Sequence, residues 1–356
     1  MHAVALNGLS TDHSDALNRR QIAAWLLICC GLVLSMVVLG GVTRLTGSGL
    51  SMVEWEPIAG ILPPRGEAGW EAEFARYRES PQYQQVNLGM TLAEFKVIFW
   101  FEYAHRLLGR ALGLAFLVPF LYFWIRGKLP RSLVPSLIIL FAMGGFQGLL
   151  GWYMVKSGLA GDPHVSQYRL AAHLVVAVGI YGYMLWLALG LLRPLPSVHL
   201  GTATVKRLAL GVTALVVLTI VSGAFVAGLK AGFTFNTFPK MGDSWIPAGI
   251  LSLDPLHRNF FENLAMVQFQ HRVLAGVVLL SVFILWWVAR RQTLTPGIHV
   301  GLYLLLVMAL IQAGLGIGTL LLHVPTGLAA AHQASALLLF TLALITNHNL
   351  RTPNPS

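Results

Sequence analysis

Long runs of apolar residues constrain this chain more than any other feature of its sequence. Eight windows bounded by charged residues, Pro or Gly run for about 20 residues or more, the length that spans a bilayer as a helix. Backbone polar groups in hydrocarbon need partners within their own segment, and the runs lack the alternation typical of barrel strands. We therefore predict eight transmembrane helices, at about residues 22–43, 96–125, 133–155, 168–192, 205–229, 264–289, 298–322 and 326–347.

The composition excludes the soluble classes of protein. Of the 356 residues, 56% are hydrophobic and 11% are charged, whereas soluble domains carry about 25% charged residues. The net charge of +10 comes from Lys and Arg at the ends of the apolar windows, so membrane lipid is the predicted partner and nucleic acid is not. Cys29 and Cys30 are adjacent within the first window, where we interpret them as packing residues.

The distribution of Lys and Arg predicts the orientation. Connections rich in Lys and Arg are expected on the cytoplasmic side. Such residues follow predicted helices 2, 4 and 6, and the first window lacks a signal-cleavage site. We therefore expect a multi-pass protein of a bacterial inner membrane with cytoplasmic tails at 1–21 and 351–356 and long loops on the periplasmic side. The residues in question are Arg126, Lys128, Arg131, Arg193, Lys206, Arg207, Arg290 and Arg291.

The two halves of the chain resemble each other. The stretches that begin at Gly40 and Gly223 match loosely, and "EYAHRLLGR" matches "QFQHRVLAG". "FQGLLGWYM" matches "IQAGLGIGT", and "LAAHLVVA" matches "AAAHQASA", so the offsets along the chain are 183, 166, 165 and 159 residues. The pattern predicts an all-α integral membrane protein made by tandem duplication of a four-helix bundle, with a pseudo-two-fold axis along the membrane normal. The predicted halves are 22–195, with a long outer loop at 44–95, and 196–350.

The repeated motifs contain four histidines, His105, His173, His271 and His332, each on an even-numbered predicted helix. All four are expected at a similar depth below the outer surface, about 7–15 Å. An intramembrane His that recurs in both halves is a candidate ligand rather than a packing residue. Two imidazoles per half, with no thiolate, suit the axial positions of a haem iron better than zinc or redox copper. Glycine runs in the third and seventh predicted helices either admit a macrocycle or a neighbouring backbone, or serve ordinary helix packing. They are Gly144, Gly145, Gly148, Gly151, Gly314, Gly316 and Gly318.

Neighbouring charged residues add further candidates. Arg106 and Arg272 directly follow two of the histidines, and Arg44 ends the first window. These guanidinium groups suit either a carboxylate, such as a haem propionate, or lipid headgroups. Glu102 lies three residues before His105, and the matching residue before His271 is the neutral Gln268. Residues three apart share a helix face, so we assign chemistry to the N-terminal half, with an interfacial carboxylate paired with Arg106 as the alternative.

These motifs, together with "GGVTRLTGSGLSMVEWEPIAGILPP", resemble the haem A synthase family over about residues 20–350. The resemblance implies oxidation of a ring methyl group of haem O to a formyl group, through hydroxymethyl and geminal diol stages, to make haem A for a terminal oxidase. It implies that His271 and His332 hold a permanent haem B, that His105 and His173 face the substrate haem, and that Glu102 is the catalytic residue.

The first outer loop distinguishes between branches of the family, and other functions also fit parts of the sequence. One branch of the family has a cysteine pair in the first outer loop, which residues 44–95 lack. That loop is instead aromatic, with Trp55, Trp70, Phe74 and Tyr77, as in mitochondrial-like members. A haem O-making farnesyltransferase is the expected supplier of substrate, while the electron donor and a homo-oligomer are left open. The alternative functions are a di-haem electron-transfer cytochrome and, less well matched, a transporter.

Overall fold

The computed structural model describes residues 2–54, 59–159, 161, 163–193 and 202–351, with backbone alone for 2–14 and 59. Its α-helices are α1 (His2–Leu45), α2 (Gly66–Arg78), α3 (Pro81–Gln85), α4 (Leu92–Ile125), α5 (Val134–Gly158), α6 (Gln167–Leu192), α7 (Ala203–Gly228), α8 (Asn259–Glu262), α9 (Leu264–Ala289), α10 (Pro296–Leu321) and α11 (Thr326–Asn349).

The prediction of eight spanning helices is confirmed. Within the described part of the chain, eight helices are long and apolar enough to cross a membrane, and no element is a strand. The protein is therefore an all-α, multi-pass membrane protein. α1 is longer than predicted, because helix continues through residues assigned to the N-terminal tail, where Pro is absent and Gly8 is the only glycine. The predicted boundary between the halves, at 195/196, lies outside the described residues, as do Trp55 and residues 352–356.

Polar residues fix the start of several spanning helices. Thr91 and Glu94 form a capping box, in which each side chain accepts from the other residue's backbone N–H. This cap starts α4 four residues before its apolar window. Asn263 caps α9 by accepting from the N–H groups of Ala265 and Met266. Helix formation therefore begins in the polar connections and carries the following ionisable residues into the bundle.

The spanning helices pack as two rings of four. In one ring α1 contacts α4 and α6, and α5 contacts both α4 and α6. In the other, α7 contacts α9 and α11, and α10 contacts both α9 and α11. The rings meet through α1, α6, α7 and α11. The main hydrophobic core draws buried residues from all eight spanning helices and includes the free thiols of Cys29 and Cys30. α4, α5, α9 and α10 lie outside this four-helix interface between the rings.

The outer helices expose apolar side chains, as a lipid-facing surface requires. Ile139 and Leu149 on α5 and Leu304 and Leu310 on α10 are each about half exposed, at 51%, 62%, 51% and 54%. Such a surface would be unstable in water but is the stable one against lipid tails. The described residues of the connections 46–91, 159–166, 229–263 and 322–325 lie at one end of the bundle, called here the long-loop end.

Candidate functional site

The four repeated histidines lie inside the bundle, near the long-loop end. His173, His271 and His332 follow the first residue of α6, α9 and α11 by 6, 7 and 6 residues. His105 is 13 residues into α4, because the capped first turn of that helix adds to its length. All four rings are partly shielded from solvent. The histidines of α6, α9 and α11 therefore lie at closely similar distances from the start of their helices.

Each histidine ring lies against a glycine on the preceding spanning helix. A Cβ on Gly40 of α1 would lie 3.0 Å from Nε2 of His105, and one on Gly223 of α7 would lie 3.2 Å from Cε1 of His271. The other two rings are placed in the same way. A Cβ would lie 3.2 Å from Cε1 of His173 if added at Gly151, and 2.8 Å from Cε1 of His332 if added at Gly316. Each of the four glycines leaves just enough space for one histidine ring. We call such a glycine the seat of that histidine.

The pair in the second ring of helices has the geometry of facing axial ligands. The ring centroids of His271 and His332 are 6.5 Å apart, and the two planes are nearly perpendicular at 86°. Two imidazoles that bind one metal from opposite sides, through nitrogens about 2 Å from it, place their centroids roughly 6 to 6.5 Å apart. The separation therefore suits one iron between these two side chains.

The pair in the first ring is also close. His105 and His173 are near enough for their charges to interact, although their rings do not make the tight approach seen in the other pair. The side-chain amide of Gln147 on α5 donates to the backbone oxygen of His173 at 2.9 Å. On α10, Gln312 accepts a short hydrogen bond from Ser335, which lies three residues after His332. Both peripheral helices thus use a glutamine to fasten the helix that carries a histidine.

One ring nitrogen in each of three histidines is buried without a hydrogen bond in the described part of the protein. Nδ1 is buried in His173, His271 and His332, and makes no well-aligned hydrogen bond among the described residues. Backbone groups of Thr219 and Gln312 lie within reach of the rings of His271 and His332. A metal-bound imidazole normally gives its second nitrogen to such a carbonyl, which orients the ring. The described residues fit an iron porphyrin in this respect as well as in their spacing.

Glu102 is buried, with an exposed fraction of 3%, and fastens the loop that follows α1. Its Oε2 accepts from the Ser51 hydroxyl at 2.8 Å and from the Met52 N–H at 2.9 Å. Its Oε1 accepts from Nε and Nη2 of Arg106 at 3.1 and 2.6 Å. Arg106 also donates to the carbonyls of Met52 and Glu54. The carboxylate and its guanidinium partner therefore clamp residues 51–54 onto α4, close to His105.

The matching clamp in the second ring carries no carboxylate. Gln268, also 3% exposed, donates to the Phe235 carbonyl at 3.0 Å. Arg272 donates to the carbonyls of Phe235, Thr237 and Lys240, at 2.9, 2.9 and 3.2 Å. Both clamps hold the segment after the first helix of their ring, but the one at Glu102 contains an ion pair and accepts a backbone N–H. The sequence difference between Glu102 and Gln268 is therefore a difference in loop chemistry as well as in charge.

The three candidate arginines have different surroundings. Arg106 and Arg272 are engaged with loop carbonyls, so a propionate would have to share them. Arg44 at the end of α1 is half-buried and makes no hydrogen bond or ion pair with the described residues. Its guanidinium is therefore the least committed of the three.

Sequence reasoning missed the residues that hold the long first loop in place. Within it, the Tyr77 hydroxyl donates to Gln82 at 3.0 Å and accepts from Asn87 at 2.7 Å. The Gln82 amide in turn donates to the Gly47 carbonyl at 2.7 Å, next to the end of α1. Burial raises the pKa of Tyr77 above its ordinary value, which keeps the hydroxyl protonated as a donor. Because Gln82 and Gly47 are 35 residues apart, no local motif in the sequence reveals the contact that ties this loop to α1.

The aromatic residues of the same loop form a second, smaller core. Trp70, Phe74 and Tyr77 pack on Phe95 and Phe99 of α4, with Trp70 edge-on to Phe99 at 5.0 Å. The loop thus covers the long-loop end of α4, on the helix that carries His105 and Glu102.

Fold and site together define a class: an α-helical membrane protein with two rings of helices, each with a pair of histidines suited to an iron porphyrin. Comparison with known proteins gives the family. Residues 23–344 match the family COX15-CtaA, described as cytochrome oxidase assembly protein. The chain belongs to this family.

Curated relatives match along nearly the whole chain. "Heme A synthase" of Nitrosomonas eutropha is 52% identical over 331 residues, which cover 92% of this chain and 93% of that protein. "Heme A synthase" of Nitrosospira multiformis is 51% identical over 343 residues, covering 96% of each. "Heme A synthase COX15" of Homo sapiens is 48% identical over 341 residues, covering 93% of this chain and 83% of the relative.

Proposed function

We propose that this protein is a haem A synthase, an oxidoreductase that converts a ring methyl group of haem O to the formyl group of haem A. The observation that carries the proposal is the pairing of intramembrane histidines, each seated on a glycine, in a chain of the COX15-CtaA family. The methyl group is hydroxylated twice, and each hydroxylation removes two electrons from the carbon, which an oxidant from outside the protein accepts. The resulting geminal diol then loses water, without further oxidation, to give the aldehyde. The names of the relatives, "Heme A synthase", support this reaction.

The two pairs of histidines have different roles in this proposal. His271 and His332, whose ring separation of 6.5 Å suits one iron, hold a permanent haem B. His105 and His173 face the iron of the substrate haem O and of the product haem A. When bound, haem B supplies one-electron redox chemistry. The clamp around Glu102 supports the assignment of the substrate to the first ring, since only that clamp contains an ionisable carboxylate.

Glu102 acts on the substrate side as a proton carrier or as a transient nucleophile. Its hydrogen bonds to Ser51, Met52 and Arg106 fix the position of the carboxylate and keep residues 51–54 closed over α4. Closure excludes water from the region around His105, which strengthens every electrostatic interaction there. Arg44, Arg106 and Arg272 are the proposed partners of the haem propionates.

The two rings are proposed to be the halves of a tandem duplication. Four matched features support this: the glycine seats, the glutamines of α5 and α10, the arginines that grip loop carbonyls, and the same order of contacts in each ring. The halves are assigned as 22–195 and 196–350, related by a pseudo-two-fold axis along the membrane normal.

The orientation and location follow from charge. Among the short connections, those after the second, fourth and sixth spanning helices carry the Lys and Arg, and they lie at the end of the bundle opposite the long-loop end. This bias supports a cytoplasmic location for that end and for both termini. The haem sites then lie toward the periplasmic side of a bacterial inner membrane. A haem O-making farnesyltransferase supplies the substrate. Bacterial relatives such as that of Nitrosomonas eutropha are consistent with this location.

Mass identification of the extracted haems tests the function. The full chain is purified from cells with and without a co-expressed haem O synthase. We expect haem B alone without the synthase, and haem O, its hydroxylated form and haem A with it. Haem B unchanged in both preparations, at about two per chain, would overturn the proposal and favour a di-haem electron-transfer cytochrome, for which the two similar histidine pairs would then be the reason.

A further inference from the structure

Helix α1 lies between the two histidine sites and touches both through adjacent glycines. Gly40 is the seat of His105 on α4. Gly41 is buried and faces α11, where a Cβ would fall on the side-chain oxygen of Gln333 and 2.9 Å from its amide carbon. Neighbouring positions on a helix point about 100° apart, so α1 presents one glycine to each side.

Gln333 directly follows His332 on α11 and reaches across to the other ring of helices. Its Nε2 donates to the backbone oxygen of Val37 on α1 at 2.9 Å. Val37 is one helical turn before Gly40 and Gly41. One side chain thus ties the turn of α11 that carries His332 to the turn of α1 that ends in the seat of His105.

Packing alone does not require an amide at this contact. The residue that follows His173 is Leu174, and it packs against the apolar cluster that contains Ala224, the residue after the seat of His271. The interface between α6 and α7 therefore has Leu and Ala where the interface between α1 and α11 has Gln and Gly. Interhelical hydrogen bonds at membrane depth are specific in direction, whereas apolar contacts slide more freely.

We propose that Gln333 is a positioning residue that couples the two histidine sites, so that haem bound at one site changes the affinity of the other. The inference rests on the proposed function, because both sites are taken to bind haem. Ligation fixes His332 and the adjoining turn of α11. Through Gln333 this turn holds Val37 and Gly41, and with them the seat of His105. By linkage the effect is reciprocal.

Haem titration of the full-length protein tests the coupling. Added iron protoporphyrin IX is the probe, and binding at the His105/His173 site is followed by absorbance, with the other site filled or emptied by His271→Ala. The ratio of the two affinities measures the coupling. We expect about a five- to tenfold ratio in the wild type, the lower part of the usual range for coupled sites.

Two substitutions, one on each helix, remove the contact between Gln333 and α1. Gln333→Met keeps an unbranched side chain of similar length but removes the donor. Gly41→Ala places a methyl group where the amide lies. Each is expected to bring the ratio to within about twofold of one, and the double variant to do no more, because both remove one shared contact.

Matched controls separate coupling from general damage. Thr341→Val removes another hydrogen bond between the two rings, the 2.7 Å contact of Thr341 with Tyr181. Gly31→Ala makes the same change on α1 where a Cβ would meet nothing within 4 Å. Both controls are expected to keep the wild-type ratio.

A wild-type ratio of one, or a full ratio retained in both Gln333→Met and Gly41→Ala, would overturn the coupling while leaving two filled sites and the proposed function intact. If one of these variants does not accumulate, the other decides. Haem absent from both sites of the wild type would overturn the proposed function and the coupling together.

Discussion

The clamp around Glu102 makes Glu102→Gln an informative perturbation. Both carboxylate oxygens accept from donors on opposite sides: the Met52 N–H at 2.9 Å on one side and Arg106 Nη2 at 2.6 Å on the other. A carboxamide has one oxygen and one NH₂ group. Whichever way it turns, the NH₂ group faces a donor, so one side of the clamp is lost.

The structure sets the size of the effect. A hydrogen bond to a charged group contributes about 1.5–3 kcal/mol, and breaking a buried ion pair costs about 3–5 kcal/mol. Arg106 keeps its bonds to the carbonyls of Met52 and Glu54, so the lower range applies, about 2–3 kcal/mol. The ratio of the closed form of residues 51–54 to open forms then falls by roughly 30- to 150-fold.

The assay compares haem A formed from supplied haem O with the haem B content of the same preparation. We expect weaker closure alone to lower haem A formation by up to about 30-fold at about 2 kcal/mol. Loss of the carboxylate as a proton carrier is expected to lower it further, by about 100-fold or more, with the haem B spectrum unchanged. Glu262→Gln is the matched control, because it makes the same change in the exposed pair with Arg258. A Glu102→Gln variant that forms haem A at the wild-type rate would refute both the clamp and the catalytic role.

Three further predictions follow from other contacts. Gly316→Val should displace His332, whose Cε1 is 2.8 Å from the Cβ position, and abolish haem B binding. Gly318→Val is the control and should retain haem B, because a Cβ there meets nothing within 4 Å. Equal haem content in the two variants would contradict the role of Gly316 as the seat of His332. Tyr77→Phe leaves the buried amide of Gln82 and the half-buried amide of Asn87 without their partner, at a cost of about 1–3 kcal/mol. Protease should therefore cut the 46–91 loop faster at unchanged haem B content, and equal cleavage would contradict the anchor. Hydrogen bonds from Arg258 and Tyr168 hold the pKa of Glu262 below its ordinary 4.5, so their stabilisation of α8 is fully present above pH 4.5 and is lost as pH falls further. Hydrogen exchange of residues 259–262 that rises already between pH 7 and 5 would contradict that sign.

The spanning helices and the histidine pairs could be predicted because their signals are local. A window of about 20 apolar residues specifies a helix in lipid whatever it packs against. The shared motifs around His105 and His271 identified both residues as members of corresponding helices. Successive spanning helices alternate in direction. This alternation alone brings the starts of the four histidine-bearing helices to the long-loop end.

The detailed contacts could not be predicted, because they join residues distant in sequence. Spacing places Glu102 on the face of α4 near His105, but does not reveal that Ser51 and Met52 reach its carboxylate from the loop. Several glycines of α5 and α10 looked alike in sequence. The structure separates them: Gly151 and Gly316 seat a ring, while Gly144, Gly145, Gly148, Gly314 and Gly318 meet nothing within 4 Å.

α1 begins about 20 residues earlier than its predicted apolar window, for a local reason. Hydropathy marks where lipid begins, not where helix begins, so the polar residues before the first apolar window gave no signal for helix. Helix runs on to residue 2 because no Pro interrupts it. The same reasoning explains why α4 starts before its apolar window, at the capping box of Thr91 and Glu94.

The central claim is that the two histidine pairs hold haem and that the pair in the second ring holds it permanently. The most direct test is the haem-to-protein ratio of His105→Ala and His271→Ala, purified without haem O synthase, with the absorption spectrum of each. The account predicts that His105→Ala keeps the haem B of the wild type and that His271→Ala loses it. Haem B retained at the wild-type ratio in His271→Ala, or lost equally in both variants, would contradict the account.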